Sequence, residues 1–278
     1  MTTVALKGLD ERIVLSPETI AHYHEHGWVR VNEVIPREVA LLLRDKFLQL
    51  SAKEKQEQAE ALDLEKQNYT SNPEYRKQHV IHRENTLTEE FTQVIRCRRA
   101  GSIAAQLLDA KEVQLFRTSL FEKFPEAGGG GITTAHQDYP YLPIDRSGSL
   151  TIWIALADLP AETGTMGFVS GSHRMGNLGR DRTFDVGDGY DKIQECITKH
   201  GWKFSDPNSL KAGDATVHHD LSVHMAGANR SNQSRLALGT IYMDSHCRYT
   251  AAPNPLTDGL PLKLNHPFNR DLFPIVPS

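Results

Sequence analysis

Val113-Gln114-Leu115-Phe116-Arg117-Thr118-Ser119-Leu120-Phe121 is where the texture of this 278-residue chain changes. Ahead of it the sequence is helical in character. From Val113 onward it breaks into short runs rich in β-branched and aromatic residues. These are Val113 to Phe121, Ile132 to His136, Leu150 to Leu156, Ala215 to His218 and Leu236 to Met243. Turn-rich segments separate them, at Gly128 to Gly131, Asp145 to Gly148 and Arg180 to Tyr190. Helices first and many short strands afterwards predict an α+β protein, mainly β, whose body is an antiparallel barrel or jelly roll. The four-glycine run reads as a loop and not as a phosphate cradle, because no helix start follows it.

Working back from Val113, Ser16-Pro17-Glu18-Thr19 offers an N-cap followed by proline at the first helical position. That helix should pass through Ile20 and Tyr23 and stop at Gly27, with Trp28-Val29-Arg30-Val31 as a short strand behind it. A second helix opens after Ile35-Pro36 and carries Val39, Leu42, Leu43, Phe47 and Leu50 at helical spacing. Residues 51 to 66 continue it as a solvated face, and residues 67 to 95 are polar and resist assignment. No repeat is visible. The expectation is one domain over residues 1–278, with a helical part at about 16–66 and a β core at about 112–245.

Hydrophobic residues at 39% and charged residues at 24% fit a globular chain that can bury a core without staples. A net charge of −4, with acid and base interspersed, argues against nucleic acid as a partner, since phosphate binding needs a basic face. Cys97, Cys196 and Cys247 are far apart and odd in number, which suits a reducing compartment and forms no zinc-type pair. No stretch approaches the ~18 apolar residues of a membrane span, and neither end carries a targeting address. These features predict a cytoplasmic protein acting without a membrane; they do not set an oligomeric state.

His136-Gln137-Asp138 closes one of the strand runs. In an extended chain residues i and i+2 face the same side, so imidazole and carboxylate can meet one ion. Two ligands make a weak site, and a third must come from elsewhere. Two histidines and one carboxylate on one face of an octahedron leave positions open, an arrangement suited to Fe(II) chemistry. The second half of the chain offers His218, His219 with Asp220, and His224. Eleven residues past His224 stands Arg235, at the head of the apolar run Leu236 to Met243. An arginine on an inward strand face is costly to bury without a carboxylate, and its planar fork suits one.

Several pieces appear in order along the chain: His136-Gln137-Asp138, Trp153-Ile154-Ala155-Leu156, Glu162-Thr163-Gly164-Thr165-Met166, Val169-Ser170-Gly171-Ser172-His173, Gly213-Asp214, and His218 to Arg235. Gly27-Trp28-Val29 near the start and Leu272-Phe273-Pro274-Ile275-Val276 near the end complete the set. Together they resemble the phytanoyl-CoA dioxygenase family of Fe(II)/2-oxoglutarate-dependent oxygenases. The resemblance implies a double-stranded β-helix, cupin-like, with the N-terminal helices packed against it. It implies His136, Asp138 and His224 as the iron ligands and catalytic centre, Arg235 as the salt-bridge partner of 2-oxoglutarate, and Trp153 and Thr165 in the co-substrate pocket. His218, His219 and Asp220 then become supporting residues. His22, His24 and His26 lie on a surface helix and His173 in a turn, without a ligand role. Ser170 departs from the family's usual proline, and Ala226 stands where some relatives place a serine.

The activity so implied is oxidation of a small specialised metabolite by O2, with 2-oxoglutarate consumed to succinate and CO2 and ascorbate as reductant in vitro. Hydroxylation is the expected outcome; desaturation, epoxidation and ring formation are alternatives. A retained Asp138 speaks against halogenation, and no Lys/Arg cluster suits the phosphates of a coenzyme A thioester. Two readings of other classes stand beside it: a zinc-dependent hydrolase using the same ligands plus His219, which would leave Arg235 unexplained, and a non-catalytic metal-binding module on the same barrel. The segments expected to close over the site, about 67 to 110 and 174 to 205, carry no readable code for the substrate.

Overall fold

The computed structural model describes residues 5–64, 79–81, 87–125, 127, 131–179 and 192–278, and its helices and sheets divide near Val113. Helix α1 (Pro17–His26) starts where the Ser16 side chain accepts the Thr19 N–H and ends where Gly27 turns left-handed. Strand β1 (Trp28–Val31), helix α2 (Arg37–Leu64), strand β2 (His79–Ile81), helix α3 (Glu89–Ile95) and helix α4 (Arg98–Leu108) follow. The β-rich part runs β3 (Val113–Lys123), β4 (Thr133–His136), β5 (Ser149–Ala155), β6 (Met166–Phe168), α5 (Lys192–His200), β7 (Ala215–His219), β8 (His224–Ala226), β9 (Arg235–Asp244) and β10 (Ile275–Val276).

The strands form two antiparallel sheets. The larger has the order β1-β7-β5-β9-β3-β10, with β2 pairing the other end of β3; the smaller has the order β4-β8-β6. Facing each other they make the curled, mainly β jelly roll that the strand texture predicts, with α1 to α4 packed on the large sheet and α5 beside the small one.

Alternation along the large sheet decides which side of each strand does what. Leu150, Ile152 and Ile154 of β5, Val217 of β7, and Leu236, Leu238 and Tyr242 of β9 share one core with Tyr23 of α1. Val39, Leu43 and Phe47 of α2 and Ile103 and Leu107 of α4 belong to the same core. The intervening residues, Trp153 and Ala155 of β5 and Ala237 of β9, pack instead with Phe168 and Ala226 of the small sheet. The alternation of side chains along each strand therefore separates a helix-covered face from the barrel interior.

Two segments expected to act as lids are structural over their described parts. Phe91, Val94 and Ile95 of α3 and Ala100, Ile103 and Leu107 of α4 are fully or nearly fully buried, and Tyr242 donates to the Ile95 carbonyl at 2.9 Å. Ile193 of α5 packs with Val169, Leu178 and Val223. Residues 65–78, 82–86 and 180–191 of those segments lie outside the described residues. Among the described residues no helix is long and apolar enough to cross a membrane.

The start of β7 is locked to the start of α2 at Gly213. Its φ is +95°, and a Cβ there would stand 2.3 Å from the Ile35 carbonyl oxygen, a backbone atom that cannot step aside. Next to it Asp214 accepts from Lys211 N, Glu33 N and Arg30 Nη2 at 2.8–3.0 Å. Gly213→Ala is therefore expected to lower unfolding stability by ~1–3 kcal/mol, the usual cost of a strained backbone position. Urea unfolding of the purified variant checks this; an unchanged midpoint would contradict it.

Candidate active site

His136 and His224 face each other as cross-strand partners of β4 and β8. Their ring centroids are 4.2 Å apart. Each ring is oriented from behind: His136 Nδ1 donates to the Thr134 carbonyl at 2.8 Å and His224 Nδ1 to the Ser222 carbonyl at 3.0 Å. With each Nδ1 held by a carbonyl, the Nε2 atoms are the ones turned toward each other and toward Asp138, the orientation a shared metal needs.

Asp138 joins them by a route different from simple alternation. The strand ends at His136, and Asp138 has helical backbone angles (φ −76°, ψ −38°) at the head of a short turn, Tyr139–Tyr141. That bend brings Oδ1 to 3.9 Å from His136 Nε2 and 3.8 Å from His224 Nε2. One ligand atom from each residue lies within 4.8 Å of the others, as a shared metal ion requires.

The remaining oxygen of Asp138 is already committed. Thr151 Oγ1 donates to Oδ2 at 2.7 Å, and His218 Nε2 lies 3.2 Å from it. Burial alone would raise this carboxyl, but the His218 hydrogen bond and the surrounding imidazoles outweigh it and hold Asp138 well below the usual carboxylate range. Burial pushes His224 the other way for its type, well below the usual imidazole value, so it stays neutral. An ionised carboxylate beside a neutral, oriented His224 suits a metal-binding set.

Gln137, between the two ligands, points away from them and is fully buried. Its Nε2 donates to the carbonyls of Gly176 (2.9 Å) and Leu221 (2.7 Å), and its Oε1 accepts from Leu178 N (2.8 Å). The loop before His224 is held just as firmly. Asp220 accepts from Ser147 Oγ, Ser149 Oγ and the N–H groups of Gly148 and Ser149 at 2.5–3.1 Å, while Ser222 donates to the Gly27 carbonyl at 2.6 Å. His219 accepts the Leu221 N–H at Nδ1 and is not part of the His136, Asp138 and His224 group. His173 caps α1 through the His24 carbonyl at 3.2 Å.

Farther along the interior lies Arg235, 3% exposed. Its guanidinium carbon sits 5.1 Å from the centroid of the Trp153 ring, and Nη1 donates to the Gly164 carbonyl. Nε is buried without a partner, and no carboxylate pairs with the group among the described residues. Burial lowers its pKa to about 10. Gly164 itself has φ +72°, and a Cβ would stand 2.3 Å from the Gly227 carbonyl oxygen, so only glycine lets this carbonyl reach the arginine. Thr165 is buried beside it, with its hydroxyl donating to the Asn208 carbonyl at 2.7 Å. The structure thus gathers His136, Asp138 and His224 at one place, Arg235 and Trp153 at a second, and Thr165 near the second with its hydroxyl engaged. The roles of Gln137 and Thr151 were not legible. The cue for Thr151 was its position two residues before Trp153, on the same strand face.

Two histidines and an aspartate that could hold a metal ion inside a jelly roll, with a buried arginine that pairs with no acid among the described residues, define a class of site that the comparisons with known proteins match. The chain belongs to the phytanoyl-CoA dioxygenase (PhyH) family, whose profile matches residues 23–237. It is 32% identical over 118 residues to phytanoyl-CoA dioxygenase domain-containing protein 1 of Danio rerio, covering 40% of this chain and 39% of that one. Such matches cover 39–56% of the length of the first curated relatives. Among solved structures, the non-haem α-ketoglutarate-dependent carbocyclase SnoK from nogalamycin biosynthesis superposes with TM-score 0.72 at 27% identity, over 94% of this chain and 96% of that one. The epimerase SnoN, in complex with Fe3+, α-ketoglutarate and nogalamycin RO, superposes with TM-score 0.68 at 23% identity, over 93% and 97%.

Gln137→Ala is expected to leave one buried and two part-buried backbone groups without their present partner, with the buried one costing ~1–3 kcal/mol. It should also weaken Fe(II) affinity by ~10–100-fold, as lost support behind a ligand does. Unfolding and metal titration check both; wild-type metal affinity would show that Gln137 does not hold the ligand loop.

Proposed function

We propose that this chain is an Fe(II)- and 2-oxoglutarate-dependent oxygenase that hydroxylates an unactivated C–H bond of a small specialised metabolite in the cytoplasm, with His136, Asp138 and His224 as the iron ligands. The observation that carries this reading is the division of labour among their atoms. Nδ1 of His136, Nδ1 of His224 and Oδ2 of Asp138 are bonded to the protein, while Nε2 of both histidines and Oδ1 of Asp138 converge on one point. A two-histidine, one-carboxylate set with open positions fits iron(II), whereas structural zinc sites close with four protein ligands. Arg235 fits the co-substrate: a buried fork with an idle Nε answers a carboxylate.

In this reading, bound iron supplies the oxygen chemistry, and the protein supplies position and dryness. Asp138 is kept ionised by Thr151 and His218, so it balances part of the metal's charge without moving. His136 and His224 are locked in one tautomer by carbonyls and lose no time reorienting. Arg235, held against Trp153 and by the Gly164 carbonyl, would hold the distal carboxylate of 2-oxoglutarate. The reaction then balances as substrate R–H plus 2-oxoglutarate plus O2 giving R–OH, succinate and CO2; ascorbate would only keep iron reduced. The description of SnoK as a carbocyclase favours ring formation as the second reading, since the same hydrogen removal can end in closure.

Turnover of 2-oxoglutarate to succinate, measured across candidate metabolites with Fe(II) and ascorbate, tests the proposal. His136→Ala, Asp138→Ala and His224→Ala should each abolish it, and His219→Ala should retain part. Arg235→Lys keeps the charge but loses the two-pronged match, and should weaken 2-oxoglutarate far more than substrate. Full activity in Asp138→Ala, or turnover that needs zinc and no 2-oxoglutarate, would overturn the proposal.

A further inference from the structure

Directly opposite Arg235 in the β3–β9 register stands a second buried cation, Lys123. It is 1% exposed and, like Arg235, has no carboxylate partner among the described residues. Its acidic neighbour in sequence, Glu122, faces the other side of the sheet, where it accepts from Ser51 and Ser234. Lys123 Nζ donates instead to Thr133 Oγ1 at 3.0 Å and to the Gly227 carbonyl at 2.9 Å, with the Ala226 carbonyl at the outer limit of 3.5 Å. Gly227 is the residue whose carbonyl lies against Gly164, and the Gly164 carbonyl is the one that Arg235 holds. Both cations therefore end at one small patch of the interior, where β3, β9 and the end of β8 meet.

Like charges directly opposite each other on a sheet repel, and buried ones repel more because water is absent. A purely structural tie between β3 and β8 would not require a lysine facing an arginine. An anion with two oxygens would resolve the conflict. We propose that Lys123 is a second anchor, beside Arg235, for the distal carboxylate of 2-oxoglutarate. The inference rests on the co-substrate reading above and extends it to a residue that neither the sequence motifs nor the resemblance singled out.

The groups facing Lys123 define its proton behaviour. Arg235 comes from β9, the neutral Thr133 from β4, and backbone carbonyls from β8 and its exit; no acid faces it among the described residues. Desolvation first, and the Arg235 charge second, lower its pKa to about 6. The lowered value is the cost of holding two buried cations side by side in the free protein, a cost that an anion would remove. A bound carboxylate would restore the ammonium form, so co-substrate binding should take up a proton. By the same linkage, the unfolded chain binds a proton that the folded one lacks between about pH 6 and the ordinary lysine value. Lys123 therefore makes the ligand-free protein more stable as pH rises through that window.

The test is anaerobic calorimetry of 2-oxoglutarate binding to the Fe(II)-loaded protein at pH 8, in buffers of differing ionisation enthalpy. The wild type should take up about one proton. Lys123→Met, similar in reach but uncharged, should take up none and bind 2-oxoglutarate ~10–100-fold more weakly, the worth of a charged hydrogen bond. Its Fe(II) affinity should be unchanged, and its melting temperature should no longer climb between pH 6 and 9. Lys123→Gln supplies the same comparison with a polar side chain. Absence of proton uptake in the wild type, or equal 2-oxoglutarate affinity in both variants, would overturn the role of Lys123 and leave the oxygenase reading standing. Loss of iron and 2-oxoglutarate binding together in the variants would overturn it too, showing a structural tie. A wild type that does not bind 2-oxoglutarate at all would defeat the oxygenase reading itself.

Discussion

Asp138 stands where the two sheets meet, and the arrangement of the interior follows from how its carboxylate is divided. One oxygen is turned toward Nε2 of His136 and His224; the other is taken by Thr151 of β5 and His218 of β7. The small sheet thus supplies the two imidazoles, while the large sheet orients the acid between them. Neither sheet makes the site alone. The bend after His136, the three bonds of Gln137 and the Asp220 hub all serve to keep this one carboxylate where both sheets can reach it.

The large sheet carries two kinds of side chain because its faces meet two environments. Outward, Leu150, Ile152, Leu236 and Leu238 bury apolar surface against α2 and α4, and this burial stabilises the fold. Inward, β3, β5 and β9 place Lys123, Trp153 and Arg235, and two of these are cations that folding gains nothing by burying. Charges held in a dry interior without acids are costly in the free protein, and such groups concentrate where a ligand is meant to complete them. The stability of the outer face is what makes the unpaired interior tolerable.

Much of this was legible in the residues, and the gaps have physical reasons. The β-branched and aromatic runs from Val113 onward gave the sheets, because such side chains pack well on a pleated surface. The N-cap at Ser16 and the stop at Gly27 gave α1 because capping chemistry is local. Helices α3 and α4 were missed: their buried Phe91, Ile95, Ile103 and Leu107 are interspersed with Arg, Gln and Thr, and they become a face only against β9. His136 and Asp138 were found for a partly mistaken reason, since alternation in a strand is not what aligns them. Lys123 was invisible because its meaning lies in the β3–β9 register, and register is set by pairing across more than 100 residues of chain.

The most direct measurement is the anaerobic crystal structure of the Fe(II) and 2-oxoglutarate complex, with the metal located by anomalous scattering at the iron edge. The account predicts one iron within about 2.0–2.2 Å of Nε2 of His136, Nε2 of His224 and Oδ1 of Asp138, with the far carboxylate of 2-oxoglutarate on Arg235. Iron ligated by His218 or His219, or 2-oxoglutarate bound away from Arg235, would contradict it.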